Sequence, residues 1–129
     1  MNGRYLLDTN VVIGLFANEA EITRLLEIAD ETFIPSVVLG ELYYGAHKSS
    51  RASENLARLD AFAAQSAVLA CTVDTARHYG EVKHRLRLKG RPIPENDVWV
   101  AAIAVQHGLT LLTRDTHFSE VDGLSTEPS

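Results

Sequence analysis

Arg4-Tyr5-Leu6-Leu7-Asp8-Thr9-Asn10 is the stretch on which the fold turns, a short apolar run that stops abruptly on a carboxylate and two small polar residues. Tyr5, Leu6 and Leu7 read as a buried strand of a parallel sheet, where both faces are covered and apolar residues follow one another without alternation. Asp8 then stands at the strand's carboxyl end. In open α/β sheets the ligand crevice lies outside those ends, so an acid there is placed where chemistry takes place. The alternative is plain capping, because Asp, Thr and Asn are all good N-caps and Val11-Val12-Ile13-Gly14-Leu15-Phe16 reads as a helix opening. What separates the two is whether other acids arrive at the same rim.

Working outward, the helical piece from Val11 to Ala17 is followed by a second from Glu19 to Asp30, with Ile22, Leu25, Leu26 and Ala29 at helical spacing. Thr32-Phe33-Ile34 is a brief second strand. Pro35-Ser36 opens a helix from Val37 to about His47 that carries Glu41. Ser49 to Ser53 is a polar connection, Glu54 to Ala64 a helix, and Val68 to Cys71 a third strand with Cys71 as a small core residue. Asp74 is the expected N-cap of a helix from Thr75 to Lys89 that Gly90 ends. Two prolines in Pro92-Ile93-Pro94-Glu95-Asn96-Asp97 hold off regular helix until the end of that segment. Val98 to Gln106 is apolar almost all round and therefore a buried helix, closed by Gly108. Leu109 to Leu112 is the fourth strand, and Phe118, Val121 and Leu124 point to a short edge strand before a frayed end at Pro128-Ser129. Strands alternating with helices predict an α/β fold in three layers, α/β/α, with a central, mostly parallel sheet.

The chain's 129 residues suit one domain over residues 1–129, large enough to bury roughly two-thirds of the unfolded surface. A single cysteine excludes an internal disulfide and any multi-cysteine zinc site. His47, His78, His84 and His107 lack zinc-motif spacing, whereas His117 lies close to Asp115. Only three apolar residues separate Met1-Asn2-Gly3-Arg4 from Asp8, too few for a signal-peptide core, and the Val98–Val105 run is too short to span a bilayer. A cytoplasmic location with no membrane contact is expected. With 12 basic and 17 acidic residues the net charge is −5, which excludes broad capture of nucleic acid by a basic surface.

Three acids converge on one rim. Asp8 and Asp115 follow the first and fourth strands, and Asp97 opens the buried helix that precedes the fourth. Glu41 sits about one turn into its helix, a rise of about 5.4 Å, and so reaches the same crevice. Clustered carboxylates repel and resist desolvation unless a cation compensates. Oxygen ligands without a thiolate or a histidine pair suit magnesium, with manganese as the substitute. Such an ion can activate water, hold a phosphate oxygen and neutralise a leaving oxyanion, which implies phosphodiester hydrolysis.

These motifs, Asp8-Thr9-Asn10, Val38-Leu39-Gly40-Glu41-Leu42, Asn96-Asp97-Val98-Trp99-Val100-Ala101-Ala102 and Gly108-Leu109-Thr110-Leu111-Leu112-Thr113-Arg114-Asp115, give the chain a resemblance to PIN-domain ribonucleases. In particular it resembles the VapC toxins of bacterial VapBC toxin–antitoxin pairs, over nearly its whole length. The resemblance implies Asp8 and Asp97 as principal metal ligands, Glu41 and Asp115 completing the site directly or through water, and Asn10 and Thr113 orienting water or an acid. It also implies a symmetric homodimer silenced by a cognate VapB-like antitoxin that presents Arg or Lys to the carboxylates. Arg114 departs from the small polar residue, usually Asn, of many relatives, leaving phosphate contact and a solvated charge both open.

Lys83, Arg85, Arg87, Lys89 and Arg91 precede the proline loop. They read either as a solvated helix surface, with Glu81 and Arg85 an i,i+4 pair, or as a cationic RNA track in which Arg85, Arg87 and Lys89 join Arg114. Tyr43, Tyr44 and Trp99 are read as core, with an interface as the alternative. Other chemistries fit less well. Gly40 to Gly45 has P-loop glycine spacing but continues Ala46-His47 in place of Lys and Ser or Thr. Asn10 stands where a haloacid-dehalogenase-like phosphatase wants its second acid, and Cys71-Thr72-Val73 and Thr113-Arg114 lack the Asp and Lys of a response-regulator receiver. The rival of another class is a catalytically silent PIN-like module that binds RNA or a partner.

Overall fold

Tyr5, Leu6 and Leu7 are buried, and strand β1 that contains them (Arg4–Leu7) lies in the middle of the sheet. The structure, a computed structural model, describes residues 3–128. Met1, Asn2 and Ser129, and with them part of the expected frayed end, lie outside the described residues. The chain continues through α1 (Thr9–Phe16), α2 (Ala20–Ile28), β2 (Glu31–Pro35), α3 (Ser36–Lys48) and α4 (Ala52–Gln65). Then come β3 (Val68–Leu69), α5 (Val73–Lys89), α6 (Glu95–His107), β4 (Thr110–Leu112), a 3-10 turn over Thr116–Glu120, and β5 (Thr126–Glu127).

The five strands lie in the order β3-β2-β1-β4-β5 and every pairing is parallel. Tyr5 pairs with Thr32 and Thr110, and Leu7 with Leu112. Crossovers between parallel strands are right-handed. The chain moves one way from β1 to β3 and then returns past β1 to β4, so α1–α4 and α5–α6 cover opposite faces. The direction reverses between β1 and β4, and the crevice of such a sheet opens at that reversal, above the strand carboxyl ends. Asp8 and Thr113 are the first residues beyond those two ends.

Helix α6 runs through the core. Val98, Val100, Ala101, Ala102, Ile103 and Ala104 are all buried, as its all-round apolar sequence predicts. It begins at Glu95, directly after Pro94, because proline fits the helix boundary without losing a hydrogen bond. Gly90 and Gly108, at φ of 67° and 64°, terminate α5 and α6 in the left-handed conformation.

Several local expectations are corrected. The N-cap of α5 is Thr72, not Asp74: the Thr72 hydroxyl accepts from Thr75 N while the Thr75 hydroxyl accepts from Thr72 N. Asp74 instead pairs with Arg77 in the first turn. Strand β3 stops at Leu69, so Cys71 lies beyond it and is exposed rather than buried. Phe118 and Val121 are buried as expected, but they pack from the 3-10 turn and its end; the edge strand comes later, at Thr126–Glu127. Tyr43 packs against the core and donates to Asp60, and Trp99 stacks on Tyr79 at 4.0 Å. Tyr44 is 65% exposed beneath the Lys48 ammonium and does not belong to the core.

Candidate active site

Asp8 is delivered by β1 and is only 3% exposed. One carboxylate oxygen, Oδ1, accepts from Thr9 N at 2.9 Å, and the other, Oδ2, accepts from the Thr113 hydroxyl at 2.7 Å. Capping and site placement, set against each other in the sequence, therefore coincide in one residue. Thr113 is itself buried at the end of β4, and its hydroxyl also accepts from Asp115 N at 3.0 Å. That oxygen ties the loop carrying Asp115 to the carboxylate at the end of β1.

Asp97 does not cap α6, whose N-cap is Pro94 without a side-chain bond. It lies in the first turn, where the helix dipole favours negative charge. Its Oδ2 is 2.7 Å from His117 Nε2, and the nearest ligand atoms of Asp97, Asp115 and His117 all lie within 4.8 Å of one another. Glu41 projects from α3 and is partly buried. Asn10 is exposed in the first turn of α1 and makes no hydrogen bond to the acids among the described residues.

The electrostatics join the four acids. Burial pushes the Asp8 carboxyl above its ordinary value; the Thr113 and Thr9 hydrogen bonds oppose that rise, and the charges of Asp97 and Asp115 add to it. Burial also raises Glu41, which Thr9 partly relieves, while Asp97, Asp8 and Asp115 raise it further. Asp97 is raised by burial and by Asp115, against the lowering effect of His117. Four carboxylates from widely separated segments thus share one electrostatic neighbourhood. The Thr9 hydroxyl oxygen is buried and influences Glu41, yet closes no hydrogen bond of ordinary geometry. Acids that resist ionisation, together with a hydroxyl oxygen left unbonded beside them, form an oxygen-rich donor set that fits a hard divalent cation.

A groove of about 260 Å³ runs from Glu41 between α1, α3 and α4, lined among others by Thr9, Ile13, Phe16, Asn55 and Arg58. Arg58 donates to the Phe16 carbonyl at 2.8 Å and lies over its ring. The cations proposed from sequence are mostly matched by acids. Arg114 donates to Glu19 at 2.6 and 3.3 Å, Arg85 pairs with Glu81, and Lys89 pairs with Glu120 and Asp122. Arg87 takes no carboxylate partner among the described residues and is exposed.

Neither the role of Thr9 nor the Asp97–His117 contact is evident from sequence. Thr9 sits inside the quoted Asp8-Thr9-Asn10 motif, and His117 is two residues after Asp115, which is the only signal the sequence carries for it.

Residues 5–124 match the PIN domain family, and the chain is 34% identical over 127 residues to ribonuclease VapC2 of Haemophilus influenzae, covering 96% of both. The chain belongs to the VapC group of PIN-domain proteins. It is also 35% identical over 127 residues to the tRNA(fMet)-specific endonuclease VapC of Shigella flexneri, again covering 96% of both. Its backbone matches a chain in the crystal structure of VapBC2 from Rickettsia felis bound to a DNA fragment from their promoter. That match has a TM-score of 0.89 at 28% identity and covers 98% of each chain. In this VapC-type fold the acids stand at the β1/β4 reversal, the place where a parallel sheet opens its crevice.

Proposed function

We propose that this chain is a divalent-metal-dependent endoribonuclease, the toxin of a toxin–antitoxin pair, acting in the cytoplasm and using magnesium or, in its place, manganese. The observation that carries the reading is the convergence of Asp8, Glu41, Asp97 and Asp115, with the buried Asp8 braced on both oxygens. Names of relatives, ribonuclease VapC2 and tRNA(fMet)-specific endonuclease VapC, support RNA as the substrate.

Asp8 and Asp97 are the proposed principal ligands, with Glu41 and Asp115 completing the site directly or through water. Bound there, a magnesium ion supplies positive charge and Lewis acidity to a phosphate oxygen and its leaving group. The chain's part is to hold the acids ready. Thr113 and Thr9 N–H steady Asp8 in its ionised form, and the Thr113 hydroxyl fixes the start of the loop bearing Asp115. Burial keeps bulk water from the Asp8 side of the pocket, which strengthens each charge interaction inside it.

The proposed partner is a VapB-like antitoxin, in keeping with the VapBC2 complex of Rickettsia felis, and the proposed assembly is built on a homodimer. A guanidinium or ammonium presented to these acids would replace the ion's charge and obstruct RNA at once. The apolar groove beginning at Glu41 offers such a segment a contact surface next to the carboxylates.

The test is cleavage of total RNA and of a tRNA(fMet) transcript, with and without magnesium, by the wild type and by Asp97→Asn. Magnesium-dependent cutting by the wild type, lost by at least 100-fold in Asp97→Asn, is the expected result, since losing about 2.7 kcal/mol of transition-state stabilisation corresponds to that factor. Equal cutting by both proteins would reject the mechanism.

A further inference from the structure

Among the described residues, His117 is the histidine that reaches the acid cluster, and it does so with one defined atom. Its Nε2 is 2.7 Å from Asp97 Oδ2. The ring is also held from behind: it tilts against the Phe118 ring at 4.8 Å, and Phe118 is completely buried. The side chain of Asp97 is 14% exposed and that of His117 34%, so the acid is the more buried member of the pair. An ionised carboxylate can only accept, which assigns the shared hydrogen to Nε2. Among the described residues Asp97 Oδ1 makes no hydrogen bond, so the two oxygens of this carboxylate are in different situations: one is fixed and the other is available.

We propose that His117 is a positioning residue for Asp97. Its Nε2–H holds Oδ2 and thereby presents Oδ1 to a divalent ion shared with the neighbouring acids, without His117 itself entering the ion's coordination sphere. The inference rests on the reading of the four acids as a metal site and deepens it. The proximity of Asp97, Asp115 and His117 ligand atoms, all within 4.8 Å, would by itself also suit direct ligation by the ring. What selects positioning is that Nε2, the atom turned toward the acids, is engaged by Asp97, so ligation through it would require giving up that hydrogen, while the Nδ1 lone pair of the same planar ring points away from that carboxylate oxygen. Carboxylates that ligate metals are commonly fixed by such an outer hydrogen bond, and its loss weakens metal affinity without changing the ligand set. Thr113 performs a matching service for Asp8, donating to Oδ2 at 2.7 Å. Each of the two proposed principal ligands thus has an oxygen held by a side-chain donor, and Asp8 has its second oxygen on the Thr9 N–H as well.

The experiment is direct titration with Mn2+ at fixed neutral pH, counting free ion by its electron paramagnetic resonance signal. It compares the wild type with His117→Gln, His117→Ala and His117→Leu; circular dichroism and melting of the metal-free proteins check the fold. Gln carries an amide N–H that can meet the same carboxylate, Ala removes the donor, and Leu removes it while keeping the bulk against Phe118. The expected result is Mn2+ binding weakened about 10- to 100-fold in Ala and Leu, largely restored in Gln, with no directly coordinated imidazole nitrogen in the wild-type spin-echo spectrum. Wild-type affinity in Ala and Leu would overturn the proposal, as would failure of Gln to restore binding or a direct nitrogen coupling. Should Ala fail to fold, Leu against Gln gives the same decision. A wild type that binds no Mn2+ would instead sink the metal site itself, a separate and distinguishable failure.

Discussion

Asp8 uses its two oxygens for two tasks, closing the first turn of α1 through Thr9 and meeting β4 through Thr113. Sequence patterns rank such roles as alternatives because they cannot assign individual oxygens. Gly14 shows the same limit. It reads as an ordinary residue of α1, but a Cβ there would come within 2.7 Å of Glu19 Oε2 and 3.1 Å of Arg114 Nη2, in addition to colliding with Ile22. The missing side chain makes room for the Arg114–Glu19 pair. Gly14→Val should therefore destabilise by about 1–3 kcal/mol in denaturant unfolding. Gly80, where a Cβ in α5 would meet nothing within 4 Å, gives the contrast: Gly80→Ala should stabilise by about 0.5–1 kcal/mol. Glu41 carries a pH prediction. Burial raises its folded-state pKa above the unfolded value, so its favourable contribution is complete below the unfolded value and is lost as pH rises through the folded one. In metal-free buffer Glu41→Gln should be more stable than the wild type at neutral pH, and the gap should close on acidification through the mid-acid range. A gap that stays constant with pH would contradict the burial argument. Among single residues, Cys71 departs from expectation because its apolar neighbours imply a strand, whereas pairing with β2 ends at Leu69.

Elements with strong internal signals are legible in the sequence, and those ended by tertiary pairing are less so. Helix α6 shows an apolar surface on every side and is buried, and Gly90 and Gly108 mark the ends of α5 and α6. The start of α5 is ambiguous because Thr72 and Asp74 are both acceptable caps by type. Reciprocal bonding with Thr75, itself buried and donating to Gln106 of α6, favours Thr72. The late edge strand is obscured for a similar reason: Phe118 and Val121 are apolar enough for a strand but reach the core from a 3-10 turn. Helix α5 also carries the proposed RNA track. Arg85 and Lys89 face acidic partners while Arg87 is exposed without one among the described residues. Replacing Arg85, Arg87 and Lys89 together by Ala should weaken RNA binding and flatten its dependence on salt, the slope falling by about 0.7 for each phosphate that is no longer neutralised. Filter binding across a salt series measures it, and an unchanged slope would return these side chains to the solvated surface.

Across the whole molecule, the acids repel one another in a partly dry pocket, so a cation that fits them should stabilise the fold. Magnesium at 100 times its dissociation constant should add about 2.7 kcal/mol to stability, raising the melting temperature of the wild type, with the gain abolished by chelation and much reduced in Asp97→Asn. A melting temperature indifferent to magnesium and manganese would count against the site. The alternation of strands and helices, the buried first strand and the identity of the four acids are all available from the chain in one dimension, because burial periodicity and residue chemistry are local properties. Residue order alone is enough for an α/β chain with carboxylates after its strands and early in its helices. Folding in three dimensions settles which atoms meet: that Thr113 donates to Asp8, that His117 faces Asp97, that Glu19 takes Arg114 and that Thr9 is left unbonded beside Glu41. The reason is physical. These contacts join residues up to 105 positions apart, and the β1/β4 pairing and the sheet's reversal of direction, not any property of the neighbouring sequence, bring them together.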